Sequence, residues 1–386
     1  MGQVIQEFKN FFRKGDMILL LLCLVTTAFG VLVIASATNY MGEARFRYLA
    51  IQVLAAAAGV LLYAIISSID VEFFSEHRVA LVVINCFLLL LLIPFGVEVN
   101  GNKSWIRLPF LPFNIQVAEV CKITYVLIMA SVMASHQNKI SSVKSVFHMA
   151  FHLILLFGLS VALSRDWGVS LIFVFIFVGM AYSGGVNLIW FLLAAVAVVA
   201  AWPFAWNYLM GDYMKARIEI LYNPDLDAAG TGPRYHTNQS LKSLTGGGLT
   251  GQGLFNGTRT QDADSHLFAQ HTDYIFSAIG EELGFLGCLL VVVLLALIIA
   301  RCIYVGTRSQ DFMRRLVCFG SAAALIFQVV INVGMCIGVM PVIGLTLPFV
   351  SYGGSSILTL YAMLGLVSGV HARPAPTSHE RYIRLH

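Results

Sequence analysis

Ten apolar stretches, each long enough to cross a bilayer as a helix, punctuate this chain of 386 residues. They fall near 17–37, 48–68, 79–97, 116–135, 147–163, 168–185, 187–209, 274–300, 316–339 and 349–370. A spanning helix needs about 20 mostly apolar residues, because no water is present in the bilayer to satisfy an open backbone. Strands of a membrane barrel would instead alternate over about ten residues, whereas Met17 to Ala37 is continuous apolar sequence. Only 11% of the residues are charged, against about 25% in soluble proteins. The expected fold is all-α: a single polytopic membrane domain over residues 1–386 with about ten transmembrane helices.

The first run ends in Ala35-Ser36-Ala37, a passable signal-peptidase pattern. It is longer than the 7 to 15 apolar residues of a signal peptide and is read as a retained helix. Ten spans put both termini on one side. With the termini cytoplasmic, thirteen Lys and Arg fall in inner segments and five (Arg45, Arg47, Lys103, Arg107, Arg165) in short outer loops. Positive charge collects on the cytoplasmic side, so both termini are expected there. The long polar segment 211–273, between the seventh and eighth helices, is then extracytoplasmic.

Other classes fall away. A net charge of +4 with no basic stripe gives no nucleic-acid surface. The seven cysteines lie in or beside apolar runs, which argues against a disulfide framework. No Walker-type sequence offers a nucleotide site, and the lack of an obvious pair of inverted halves lowers a transporter reading but leaves it open.

Five polar features stand out. Glu119 and Lys122, three residues apart in the fourth span, share a helical face and can pair. They either lock the bundle or line a cavity where Lys122 meets a lipid phosphate. Asp166, in Arg165-Asp166-Trp167-Gly168, either sits in a hairpin turn or reaches back into a polar cavity. Trp105, flanked by Lys103 and Arg107, reads as an interfacial anchor or as a face that stacks on a sugar while the cations neutralise pyrophosphate. The long loop carries Lys242 and the glycine cluster 246–257, which either admits a ligand or is merely flexible. It closes on His271-Thr272-Asp273-Tyr274, where Asp273 is a helix-capping acid or a carboxylate placed to take a proton from a hydroxyl. Finally, Pro341 to Ser356 interrupts apolar sequence with two prolines and small polar residues, an irregular backbone tolerated at depth only where buried or lining a wet cavity.

Leu347-Pro-Phe-Val-Ser-Tyr-Gly-Gly-Ser-Ser356 is similar to the signature of the SEDS family (shape, elongation, division and sporulation), which includes RodA, FtsW and SpoVE. Gly101 to Ile106, Gln239 to Gly257 and His271 to Gly287 follow in that family's order. The resemblance implies a glycosyltransferase of the cytoplasmic (inner) membrane that polymerises lipid II, the undecaprenyl-pyrophosphate-linked disaccharide pentapeptide, beside a class B penicillin-binding protein. It implies Asp273 as general base and Trp105, Glu119, Lys122, Asp166 and Lys242 as functional positions. Lys103, Arg107, His271, Ser351 and Gly353 complete the expected substrate-binding set. Such chemistry admits a divalent cation (Mg or Mn) and needs no nucleotide. Departures are Gln116-Val-Ala-Glu119 and Arg165-Asp-Trp-Gly168, which keep the acid and lose a proline, and Ala269-Gln270 where the family has Pro-Glu. A lipid II flippase and a non-catalytic scaffold for a transpeptidase are the competing functions.

Overall fold

A computed structural model describes residues 14–373 apart from 100, 101, 110, 228–233, 263–266 and 268. Lys9, Arg13, Arg381 and Arg384, which entered the orientation argument, lie outside the described residues, as does Gly101. Seven helices come first: α1 (Met17–Ala37), α2 (Ala44–Ser68), α3 (Arg78–Phe95), α4 (Val117–Ser135), α5 (Val143–Ser164), α6 (Trp167–Ser183) and α7 (Leu188–Phe204). The long segment adds α8 (Asp212–Tyr222) and α9 (Tyr235–Gly247), and the chain closes with α10 (Ile275–Arg308), α11 (Phe312–Cys336) and α12 (Gly354–Ala372). Among the described residues nine helices are long and apolar enough to cross a membrane, and α6, an apolar helix of 17 residues, stands at the remaining expected position.

Several helices start where a short polar side chain accepts an otherwise orphaned N–H of the first turn. Asp16 accepts from Leu19 N at 3.0 Å, Ser142 from Ser145 N at 3.3 Å, Asn187 from Ile189 N at 3.0 Å and Asp311 from Arg314 N at 2.8 Å. At the centre, α12 buries almost every side chain between Leu360 and Val370. Its glycines permit the close backbone approach on which helix association in membranes depends. A Cβ on Gly365 would stand 2.9 Å from the Tyr63 carbonyl of α2. Helix α7 is the opposite case and buries none of its residues.

Three expectations change. The fold is not purely helical, because α3 stops at Phe95 and an antiparallel sheet follows in the order β1 (Gly96–Val99), β2 (Asn102–Ile106), β3 (Ile115–Gln116). Strands of two to five residues are too short to leave a period in the sequence. The last span begins at Gly354 rather than 349, because the preceding residues form irregular backbone from Ile337 to Gly353. The glycine cluster is a packing surface. Gln252 N and Gly253 N donate to the carbonyls of Glu281 and Glu282 at 3.0 and 2.9 Å, and Phe285 N to Gly248 O at 2.9 Å. This seat exists because α10 breaks at Gly284, with φ +65°, a left-handed conformation that suits glycine. The cysteines are all free, as expected.

Candidate active site

The turn 269–274 presents Asp273 just before α10. Tyr274 is the N-cap residue and no side chain caps this end, so the capping role open to Asp273 is not the one it plays. Ala269 takes φ +53°, inaccessible to a proline, and its carbonyl accepts from Thr272 N at 3.0 Å and Tyr274 N at 3.2 Å. Buried Gln270 donates to Ala37 O at 2.8 Å and Thr260 O at 2.9 Å. The Ala-Gln pair thus gives this chain its own anchor for the turn.

Three consecutive carbonyls of the turn are captured from outside. His271 O accepts from Tyr352 N at 2.9 Å, Thr272 O from Ser351 Oγ at 2.6 Å and Asp273 O from Asn332 Nδ2 at 2.8 Å. The irregular segment 341–353 therefore acts as a strap across the acid. Ser351 Oγ also accepts from Leu347 N at 2.9 Å, and buried Gln52 of α2 takes Gly353 N at 3.1 Å while donating to Ser351 O at 3.2 Å. The ring of His271 packs with Tyr48 and Tyr352, at 5.1 and 5.8 Å between centroids.

The strap also brings distant elements to the carboxylate. Gly344, at φ +68°, passes so close that a Cβ there would lie 3.6 Å from Asp273 Oδ2. A Cβ on Gly168 would stand 2.8 Å from Ile343 Cβ, so the start of α6 abuts the same strap. Asp166 caps α6 through Oδ1, accepting from Val169 N at 3.1 Å, while Oδ2 accepts from Ser104 Oγ of β2 at 3.2 Å. From the other side Arg217 of α8 donates to the Val342 carbonyl.

The Asp273 carboxyl is raised to about 6, chiefly by burial and also by the Asp166 charge, against the Arg217 charge and a Thr272 hydrogen bond. Burial likewise raises Asp166, against hydrogen bonds from Val169, Ser104 and Gly168. A carboxylate near neutrality at the mouth of a helical bundle is suited to general-base work.

His271 and Asp273 thus lie on one turn and Ser351 and Gly353 on its strap, with Asp166 at the start of α6, the helix that abuts the strap. The other expected residues are placed differently. Glu119 and Lys122 are buried and pair at 2.6 Å, with Thr359 of α12 donating to the same carboxylate oxygen at 2.8 Å. Trp105 is half-buried in β2, opposite Val97 and Gln116. Lys103 Nζ donates to Ile93 O at 2.8 Å, at the C-terminal end of α3, where a cation is favoured. Arg107 is exposed, as is Lys242 on α9. Sequence reasoning missed Arg217, Asn332 and Gln52. It also gave no role to Glu282, whose buried carboxylate accepts from Ser36 Oγ at 2.5 Å, Gln261 Nε2 at 2.7 Å and Thr260 Oγ1 at 2.8 Å. Among the described residues no group of three His, Cys, Asp or Glu side chains could hold a metal ion.

Residues 16–375 match the family model described as "Cell cycle protein", FtsW/RodA/SpoVE. The peptidoglycan glycosyltransferase MrdB of Escherichia coli K12 is 32% identical over 372 residues, 94% of this chain and 95% of its own. A probable peptidoglycan glycosyltransferase FtsW of Trichlorobacter lovleyi is 32% identical over 366 residues, 92% and 93% of the two chains. Among solved structures, a chain from a peptidoglycan synthase complex that coordinates polymerization and crosslinking superposes with TM-score 0.75 at 28% identity, covering 92% of this chain and 97% of that one. Thermus thermophilus RodA superposes with TM-score 0.69 at 25% identity, covering 94% and 98%. The match of residues 16–375 to the family model, with relatives 32% identical over more than nine-tenths of both chains, places this protein in the SEDS family of FtsW, RodA and SpoVE.

Proposed function

We propose that this chain is a peptidoglycan glycosyltransferase that polymerises lipid II at the outer face of the cytoplasmic membrane, with Asp273 as general base. The observation that carries the reading is the Asp273 carboxylate, raised to about 6 and held on a turn whose three carbonyls are pinned by other elements. Asp273 takes the proton from the acceptor sugar's 4-hydroxyl as that oxygen bonds to the donor's anomeric carbon. The bond from that carbon to undecaprenyl pyrophosphate breaks on the opposite face, so the configuration inverts and no nucleotide is consumed. Arg217, whose charge already reaches Asp273, is the cation this reading assigns to the departing diphosphate. The excess of Lys and Arg in the inner segments supports an outward-facing Asp273. A divalent cation would rest mainly on the diphosphate, because among the described residues no group of three His, Cys, Asp or Glu side chains could hold it.

The polymerising relative with a complex of its own supports a class B penicillin-binding protein as partner. Purified protein reconstituted with lipid II is expected to form glycan strands, and Asp273→Ala to cut the rate by at least about 10²-fold while still binding lipid II. Polymer from the Ala variant at the parent rate removes Asp273 from the base role. Lipid II translocation without polymer by either protein would instead point to a flippase.

A further inference from the structure

We infer that Asn332 of α11 is a positioning residue of the reaction centre: its side-chain amide ties the backbone of the Asp273 turn to the strap that faces the carboxylate. The inference rests on the general-base reading of Asp273. Asn332 is fully buried near the C-terminal end of α11. Its Nδ2 donates to Asp273 O at 2.8 Å and to Leu345 O at 2.7 Å. An amide nitrogen carries two hydrogens, and here each meets a carbonyl from a different element. One carbonyl belongs to the acid and the other to the residue next to Gly344, where an added Cβ would lie 3.6 Å from Asp273 Oδ2.

Among the described residues no other side chain makes both contacts. Ser351 and the Tyr352 amide hold the two residues before Asp273, and Cys336 offers Asp273 O only a weak thiol contact at 3.8 Å. Without the amide, the Asp273 and Leu345 carbonyls face each other with no shared donor, and the gap between carboxylate and Gly344 is free to widen. Transition-state geometry tolerates little of this, since a displacement of about 1 Å costs on the order of 10²-fold in rate. Widening also admits water to the carboxylate and relieves the burial that raises it.

The number of hydrogen bonds, not the volume, is therefore the variable to test. Ser can donate one, while Leu repeats the branched four-atom outline of Asn with bulkier methyls in place of the amide and donates none. Asn332→Ser, Asn332→Leu and Asp273→Ala are compared in detergent-purified, full-length protein for lipid II polymerisation, lipid II binding, melting temperature and the pH dependence of turnover. Positioning predicts kcat falling in the order Asn, Ser, Leu, about 10- to 100-fold for Leu per folded molecule, with KM for lipid II within about twofold. It also predicts an acid limb moved below the parent's. A packing role predicts the reverse order, with Leu tolerated, and no movement of the pH profile. Parent-like turnover in the Leu variant, or losses matched by lost folded protein in both variants, overturns the inference. Failure of both to fold assigns Asn332 to folding and overturns it too. If Asp273→Ala polymerises normally, the base reading itself fails, whatever the Asn332 variants do.

Discussion

At the scale of single residues, the site is a balance of opposed charges on one carboxylate. Burial and the Asp166 charge raise Asp273 while the Arg217 charge lowers it, leaving the carboxyl at about 6. A general base works only when ionised, so turnover should climb as pH passes upward through that value. Removing the cation raises the carboxyl further, and removing the anion lowers it. Arg217→Met should therefore move the acid limb of the pH-rate profile to higher pH and Asp166→Asn to lower pH. The Asn side chain can still cap α6 through its oxygen, so the second variant isolates the charge. Both limbs moving in one direction would contradict the arrangement. His271, Asp273 and Ser351 were legible as parts of motifs, because their neighbours in the chain mark them. Asn332 and Arg217 were not, since a lone polar residue in an apolar run, or one Arg on a polar loop helix, carries no sign of which backbone it will hold. Asn332 meets a residue 59 positions away.

Elements explain how the glycine segment 246–257 is held against α10. The sequence showed glycines and two adjacent acids but not that they meet, because the meeting depends on α10 breaking at Gly284 and turning backbone toward the loop. Glu282 then closes the seat, accepting from Ser36 of α1 and from Thr260 and Gln261 of the loop. Gln offers one acceptor oxygen and places N–H groups against the remaining donors. Glu282→Gln should cost roughly 1–3 kcal/mol of local stability. Faster amide exchange over 252–261, with exchange in α12 unchanged, is the expected outcome; identical exchange in the loop would show that the glycine packing alone holds it. The short strands of the sheet were likewise illegible, yet β2 is what brings Ser104 to Asp166.

Across the whole molecule, the number and order of apolar helices were plain from hydropathy, while which helices meet was not, since lipid-facing and buried sides are equally apolar. The Glu119–Lys122 pair shows the difference. Sequence left it open between a lock and a phosphate site. The structure buries both charges, joins them at 2.6 Å and adds a hydrogen bond from Thr359, so the pair fastens α4 to the central α12. Removing one partner of a buried pair leaves an uncompensated charge and costs about 3–5 kcal/mol, whereas replacing both is often close to neutral. Lys122→Met should thus lower the melting temperature sharply, and Glu119→Gln with Lys122→Met should recover most of the loss. If the pair is only a lock, lipid II polymerisation per folded molecule recovers along with stability. If Lys122 instead meets a substrate phosphate, the double variant regains its melting temperature and stays slow, because no rearrangement of uncharged side chains replaces that cation. The full burial of Lys122 predicts the first outcome.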